Sequence, residues 1–263
     1  MFTELKNLVS NPNHCMSSKY FIGITEKKVD GSFLIHHFLS YFLKENCRVI
    51  FLSFRQALNH FNSVGNKIGN SLSIAKEQGN FCFIEGLKSL AQSVNNGVLC
   101  GENPWDQTIN NNLVSADKLY MMLQSKIKDV SFKSDKNVVF IIDDISTLLD
   151  TGTTVVDTLA VVQYLQHLII QELGGTLIIG TNDDMGELDD DKNILKNYLH
   201  HSVDLCLEVS GLETGYCKDV HGQLTVSWNN TVSREKINQR VAQYKLTDKN
   251  CAIFASGMSS AVL

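Results

Sequence analysis

The chain has 263 residues, of which 43% are hydrophobic, and this size and composition suit a large α/β domain. Its formal net charge of −5 argues against a freestanding nucleic-acid binder, because contacts to phosphate need clustered lysines and arginines. A subunit that joins a larger basic surface stays compatible with that charge. No apolar run reaches membrane-spanning length and no signal peptide begins the chain, so we expect a cytoplasmic protein that is also nuclear. The seven cysteines form no C-x-x-C pair, which favours reduced thiols over disulfides or a zinc site.

The first half of the chain alternates predicted strands and helices. Ser32 is a candidate N-cap for a helix from Phe33 to about Glu45, and this helix is apolar on nearly all sides, which predicts that it is buried. A less regular helix, interrupted by glycines, follows the second strand. Residues 95–112 are rich in Asn and Gly, so we expect a poorly ordered insertion there. The predicted strands of this half are Tyr20–Thr25, Arg48–Phe54 and Phe81–Glu85.

The run Val138–Ile142 gives the clearest strand signal in the chain. An unbroken apolar run with many β-branched residues is typical of a central strand that is buried on both faces of a parallel sheet. Asp143 and Asp144 follow at its carboxyl end, which is the edge where ligands bind in open α/β sheets. A run of this form that ends in Asp also resembles the second motif of P-loop ATPases, whose carboxylate helps to hold Mg²⁺. The alternative is a core strand that ends in a polar turn.

After this strand the pattern first continues and then changes. Thr154 and Asp157 form a capping box that opens a helix with an apolar side, which Gly174 and Gly175 can end. A buried strand follows at Thr176–Thr181, and a short helix near Leu195–Leu199. Apolar residues then alternate with polar ones in the segments Ser202–Val209, Gln223–Trp228, Gln243–Leu246 and Cys251–Ala255, the last two flanking a turn at Thr247–Asn250.

This order of elements predicts the fold class. Alternating β-α units followed by short alternating strands indicate an α/β fold with a mostly parallel central sheet, flanked by helices and extended by antiparallel strands at its C-terminal edge. The sequence has no internal repeat and no Pro/Ser-rich linker. We therefore expect a single domain over residues 1–263.

The turn after the first predicted strand lacks the residues of a P-loop. That motif, G-x-x-x-x-G-K-[ST], wraps phosphates with backbone N–H groups, neutralises charge with Lys and binds Mg²⁺ with a hydroxyl. Here Gly31 is followed by Ser32 and Phe33, while Lys27 and Lys28 stand upstream of the expected position. A Phe side chain cannot bind Mg²⁺. The turn is therefore poorly equipped for triphosphate hydrolysis, and Asp143 is expected to cap or brace the sheet edge instead.

Other motifs favour structural roles. The pairs His36-His37 and His200-His201 are adjacent, and neighbours on a helix diverge too far to chelate one ion readily. Two S-x-x-K matches lack their companion motifs, and the acidic segment Asp183–Asp191 lacks the spacing of a calcium loop. We interpret that segment as a solvated loop whose last acids favour a helix start. Arg234, Lys236 and Arg240 form a small basic cluster. It is either a solvated part of the surface or a contact for phosphate.

Several longer segments resemble one family over nearly the whole chain. The sequences MFTELKNLV, VDGSFLIHHFLSYFL, FIEGLKS, IIDDIS, KDVHGQLTV and the ending YKLTDKNCAIFASGMSSAVL are similar to the sixth subunit of the Elongator complex. The DGSFLIHHFL helix and the C-terminal tail carry the most specific likeness. IIDDIS alone is unspecific, and residues 95–112 are the least similar part.

The resemblance implies a RecA-like fold without intact nucleotide motifs, in a non-catalytic subunit without cofactors. It also implies a hexameric ring of two copies each of the fourth, fifth and sixth subunits, which binds tRNA and serves the complex that modifies the wobble uridine. It assigns no catalytic, cofactor-binding or metal-binding residue to this chain, and no tRNA-contacting residue. Two other hypotheses are a divergent RecA-like ATPase that uses Lys27 or Lys28, and a recombinase-type adaptor that binds DNA.

Overall fold

A nine-stranded sheet organises the part of the chain that the computed structural model describes, residues 3–9, 19–86, 109–110, 113–131, 136–183, 189–212, 215, 217–230 and 235–255. The strands of this sheet are β1 Phe21–Lys27, β2 Arg48–Ser53, β3 Phe81–Glu85, β6 Val138–Asp143, β7 Thr176–Asn182, β8 Leu205–Ser210, β9 Gly222–Asn230, β10 Glu235–Leu246 and β11 Cys251–Phe254, while β4 Ile109–Asn110 and β5 Leu113–Val114 form a separate antiparallel pair. The strand order in the sheet is β11-β10-β9-β8-β1-β7-β6-β2-β3.

Helices cover both faces of the sheet. They are α1 Thr3–Val9, α2 Ser32–Lys44, α3 Leu58–Lys67, α4 Leu72–Glu77, α5 Ala116–Ser131, α6 Thr147–Asp150, α7 Val155–Gln166 and α8 Asp190–Ser202. Helix α7 continues as a π-helical turn, His167–Glu172. Helices α1–α4 share one apolar core with alternate sheet residues such as Val49 and Phe51. Helices α5–α8 share the other with the intervening residues, such as Ile50 and Leu52, as the two-residue period of a strand requires.

The structure confirms the predicted fold class. All pairings among β8, β1, β7, β6, β2 and β3 are parallel, and the pairings of β9, β10 and β11 are antiparallel. Helix α2 is buried through most of its length, as its all-round apolarity predicts. No helix in the described ranges combines the length and apolarity that crossing a lipid bilayer requires.

Some boundaries differ from prediction for physical reasons. Ser32 is the first residue of α2 and not its N-cap, because Gly31 holds the capping position and makes no side-chain bond. The predicted strand Ser202–Val209 begins at Leu205, since α8 runs through Ser202. The Thr154–Asp157 capping box is present, with the Asp157 amide donating to Thr154 Oγ1 at 3.1 Å. Of the predicted insertion at 95–112, residues 95–108 and 111–112 lie outside the described residues.

Helix α2 itself carries two neighbouring buried histidines, His36 and His37. Burial lowers the pKa of His36 to about 4, with the nearby His60 adding to the effect. Burial also lowers the pKa of His37 to about 4, and Lys6 contributes to that shift. Between pH 4 and 6.5 each imidazole is therefore neutral in the folded chain, whereas in the unfolded chain, where the histidine pKa is 6.5, it binds a proton.

Acid is therefore expected to destabilise the fold through these histidines. Their contribution is complete above pH 6.5 and is lost as the pH falls toward 4, because the unfolded state then binds more protons. We expect His36→Phe, which keeps a ring against Phe61, to reduce the loss of unfolding free energy between pH 7 and 5.5 by about 1 kcal/mol. Urea unfolding at both pH values measures this difference. An unchanged pH dependence would contradict the prediction.

Candidate functional site

Polar side chains meet where four parallel strands end. The register places Glu26 of β1 beside Asn182 of β7, and Ser53 of β2 beside Asp143 of β6. Because all four strands run in the same direction, their carboxyl ends share one edge of the sheet, which is the usual ligand edge of such folds. We call the group Glu26, Arg55, Asp143 and Asp144 the strand-end cluster.

Glu26 binds the start of helix α2. Its Oε1 accepts a hydrogen bond from the Gly31 amide at 2.9 Å, and the next amide, that of Ser32, donates to Asp30 Oδ1 at 2.8 Å. A helix N-terminus attracts negative charge, and in phosphate-binding folds the phosphate takes this position. In this chain the carboxylates of Glu26 and Asp30 accept the hydrogen bonds of these amides instead.

The approach of Glu26 explains the glycine at position 31. A Cβ atom on Gly31 would lie 3.0 Å from Glu26 Cγ, 3.1 Å from Glu26 Oε1 and 3.2 Å from Val209 Cγ2. These distances are tighter than side chains normally tolerate, so a larger residue would push the carboxylate away from the helix. The absence of a side chain at Gly31 thus makes room for Glu26, whereas a P-loop glycine lets the backbone wrap a phosphate.

Arg55 supplies the positive charge of the strand-end cluster. It follows β2 and reaches across the strand ends, so that its Nη1 lies 2.5 Å from Glu26 Oε2 and 3.9 Å from Asp143 Oδ1. The Glu26 side chain is 4% exposed and that of Arg55 30%. Burial lowers the pKa of Arg55, but Glu26 and Asp143 outweigh burial and the net pKa is raised. The guanidinium therefore stays charged.

The cluster holds more acids than bases. Burial raises the pKa of Asp143 to about 7; Arg55 opposes this shift, and Asp144 and Glu26 add to it. Burial likewise raises the pKa of Glu26, against the lowering effect of Arg55. One guanidinium cannot neutralise three buried carboxylates, so Asp143 retains a proton over much of the range in which a free Asp is ionised.

Asp144 braces the sheet edge. Its Oδ1 accepts from the Ser146 amide at 2.8 Å and from the Ser146 hydroxyl, and the Ser146 hydroxyl oxygen in turn accepts from the Asn182 amide at 3.1 Å. This chain of bonds ties the end of β6 to the end of β7. The sequence assigned such a bracing role to Asp143, but Asp144 makes these bonds, and burial raises its pKa although Ser146 opposes the effect.

Three lysines near the same edge lie beside carboxylates. Lys27 Nζ is 2.8 Å from Glu208, Lys192 Nζ is 2.7 Å from Asp150, and Lys196 Nζ is 2.8 Å from Asp183. Their positive charge is therefore compensated within the chain. Lys27, one of the two lysines considered for phosphate binding, thus contacts an acid of the neighbouring strand β8.

Of the other predicted residues, Asp183 adjoins the cluster, since its amide donates to the Glu26 carbonyl at 2.7 Å; those that follow make contacts elsewhere. His200 contacts Cys206, with 3.4 Å between Nδ1 and Sγ, and no group of three metal-ligating side chains occurs within the described residues. Asp189 caps α8 by accepting from the Lys192 amide at 3.0 Å, while residues 184–188 lie outside the described part. Arg240 binds carbonyl groups of α1. Arg234 lies outside the described residues, and so does the side chain of Lys236.

Sequence reasoning missed Glu26 and Arg55 as partners. They are 29 positions apart, Glu26 in β1 and Arg55 after β2, so no local motif joins them. The available signal was their position, because each residue stands at or just after the carboxyl end of a predicted strand. Opposite charges at the same edge of a sheet can pair, but the strand order is needed to know how far apart these strand ends are.

Comparison with known proteins identifies the family. The family model described as Elongation complex protein 6 matches residues 2–248. Proteins named Elongator complex protein 6 from rat (Rattus norvegicus), mouse (Mus musculus) and human (Homo sapiens) are 38%, 36% and 36% identical to this chain, with complete coverage of both chains in each case.

Solved structures support the fold at much lower identity. The uncharacterized protein PH0321 of Pyrococcus horikoshii and the flagellar accessory protein FlaH of Methanocaldococcus jannaschii each have a TM-score of 0.63 and cover 96% of both chains, at 14% and 15% identity. These neighbours are RecA-like, and so is this fold. On the sequence matches, the chain belongs to the Elongator complex protein 6 family and is a member of the Elongator complex.

Proposed function

We propose that this chain is a non-catalytic structural subunit of the Elongator complex. It assembles with the fourth and fifth subunits, two copies of each, into a hetero-hexameric RecA-like ring, in the cytoplasm and also in the nucleus. The ring binds tRNA and supports the carboxymethyl-type modification of the wobble uridine. The chemistry of that modification belongs to a different subunit.

The observation that carries the non-catalytic role is the bond between Glu26 and the start of α2. In a nucleotide-hydrolysing fold the amides at this helix start must be open to phosphate. Here Glu26 accepts from the Gly31 amide at 2.9 Å and binds Arg55 at 2.5 Å. A phosphate would have to displace a buried ion pair and would meet the carboxyl groups of Asp143 and Asp144 nearby.

The surface supports assembly. Large apolar side chains that are well exposed include Met121 on α5 and Val156 and Tyr164 on α7, and the Tyr120 ring contacts that of Tyr164 in a tilted arrangement with ring centroids 5.0 Å apart. Methionine and tyrosine are enriched at protein interfaces. Head-to-tail contacts between similar domains close into rings when the rotation permits.

The charge pattern supports tRNA binding by the ring rather than by this chain alone. The chain carries a net charge of −5, and Lys27, Lys192 and Lys196 lie beside carboxylates. Binding of phosphates depends on free cations and weakens with salt. We therefore attribute most of the tRNA affinity to the assembled ring.

A replacement experiment tests the proposal. In cells that lack the native protein, we expect Glu26→Gln to restore wobble-uridine modification to the wild-type level, because the amide oxygen still accepts from Gly31 and the residue does no chemistry. Thr154→Ala, which weakens a helix cap that is not part of the cluster, is the control for a change in stability alone. Modification is measured by mass spectrometry of tRNA nucleosides, normalised to the amount of each variant.

Three results would overturn the proposal. One is a large loss of modification with Glu26→Gln at normal protein levels, which would indicate a catalytic role. Another is saturable binding of Mg·ATP by the purified chain at millimolar concentration, which would favour an ATPase. The last is a failure to recover the fourth and fifth subunits when the tagged chain is affinity-purified, which would contradict the proposed ring.

A further inference from the structure

Strand β11 ends the sheet in the described part of the chain, and its own residues do little to protect that edge. It consists of Cys251, Ala252, Ile253 and Phe254, without a charged residue or a proline. Natural edge strands usually carry such residues, because an open row of N–H and C=O groups can pair with a strand of another molecule. Some other element must protect this edge.

Helix α1 covers the edge. Its Glu4 Oε2 accepts a hydrogen bond from the Ile253 amide at 2.6 Å, so a carboxylate stands where a carbonyl of the next strand would stand. Leu5 and Val9 anchor the helix, since both are fully buried in the core that also contains Cys251.

Polar contacts hold the rest of this short helix. Arg240 Nη1 donates to the carbonyl of Asn7 at 3.5 Å and to that of Leu8 at 3.3 Å. Lys6 Nζ lies 5.0 Å from the centre of the Tyr41 ring on α2. The helix has seven residues, which is too short to be stable by itself, so it depends on these contacts.

We propose that β11 is a strand-pairing edge which α1 covers, and that its partner when α1 leaves is β11 of a second copy of this chain. Two identical edges pair antiparallel about a twofold axis, and such a contact is self-complementary by symmetry. The uncharged sequence of β11 removes the like-charge repulsion that would otherwise oppose this pairing.

The observed hydrogen bond limits the register of the pair, because it shows which residues have their backbone N–H and C=O groups on the open side of the strand. The Ile253 amide points away from β10, toward Glu4, and in an antiparallel sheet every second residue faces the same way. The backbone groups of Cys251 therefore also face away from β10, while its side chain stays in the core, and the proposed pair places Ile253 of one copy opposite Cys251 of the other. Ala252 then opposes itself across the axis as a non-hydrogen-bonded pair, with Cα atoms about 4.5 Å apart. A disulfide can span this distance.

Disulfide trapping of the full-length chain tests the proposal. Leu5→Asp places a charge in the apolar contact and releases α1, and Ala252→Cys supplies the thiol at the axis. We expect the double variant to form a covalent dimer under mild oxidation with at least a tenfold higher yield than Ala252→Cys alone. Tryptic mapping should show that the bond joins the two copies of position 252.

Adding Ile253→Pro is the matched control. Proline removes the outward amide of Ile253 but no hydrogen bond to β10, and edge strands tolerate proline at such positions. The triple variant is expected to lose the dimer.

Glu4→Ala combined with Ala252→Cys removes only the hydrogen-bond acceptor on α1. It should give the same cross-link in a yield below that of the Leu5→Asp double variant and above that of Ala252→Cys alone, so the result does not depend on the folding of Leu5→Asp. Cross-links through other cysteines, a yield equal to that of Ala252→Cys alone, or a dimer that survives Ile253→Pro would overturn the proposal.

Discussion

Arg55→Met is expected to lower the free energy of unfolding by about 3 kcal/mol at pH 8, which is the usual cost of removing one partner of a buried ion pair. Methionine keeps most of the volume but leaves Glu26, Asp143 and Asp144 without their cation. At pH 5 we expect a smaller loss, because the carboxyl groups can then bind protons. Urea unfolding at the two pH values measures both effects.

Two further variants give this prediction a control. Lys27→Met removes a partly exposed ion pair, with side chains 38% and 31% exposed, and should cost well under 1 kcal/mol. Arg55→Met combined with Glu26→Gln removes both charges, so it should recover part of the stability lost by Arg55→Met alone. If Arg55→Met were as mild as Lys27→Met, the strand-end cluster would not hold the edge of the sheet.

Asp143→Asn is expected to flatten the pH dependence of stability. The wild-type Asp143 has a pKa of about 7 in the folded chain and 3.8 as its reference value. The folded state therefore keeps a proton that the unfolded state loses, and the stability due to this group falls as the pH rises from 3.8 to 7. Between pH 5 and 8.5 this loss amounts to about 3 kcal/mol, and asparagine should abolish it.

Asp219→Asn serves as the control for a carboxyl group at the surface. Its contact with Lys245 lowers the pKa of Asp219, so this group titrates below pH 5 and its removal should not flatten the same interval. Unfolding free energies at pH 5, 6, 7 and 8.5 distinguish the two variants. A parallel pH profile for Asp143→Asn and the wild type would contradict the pKa of Asp143 and its cause.

The sequence predicts the fold well because the signals of its strands and helices are local. The run Val138–Ile142 is buried in the centre of the sheet, and the apolar surface of α2 is buried as expected. Thr154 and Asp157 are three residues apart, so a local pattern was enough to find their hydrogen bond. In each case the side chains that interact or pack are set by a helical or strand period.

The candidate site is less predictable because its contacts join distant strands. Position in the sequence predicted that Asp143 and Asp144 stand at the sheet edge, but the partner of Glu26 depends on the strand order β1-β7-β6-β2. Similarly, Ser32 has the residue type of an N-cap, yet Glu26 and Asp30 bind the first amides of α2. Acidic side chains of the preceding strand end and turn thus take the role that the Ser32 hydroxyl was expected to have.

The contact between Glu26 and Arg55 also sets which of the two residues the chain can lose more easily. Loss of Arg55 leaves three buried carboxyl groups without a nearby cation, whereas loss of the Glu26 charge leaves Arg55 beside Asp143. The arginine is therefore the less replaceable member of the pair.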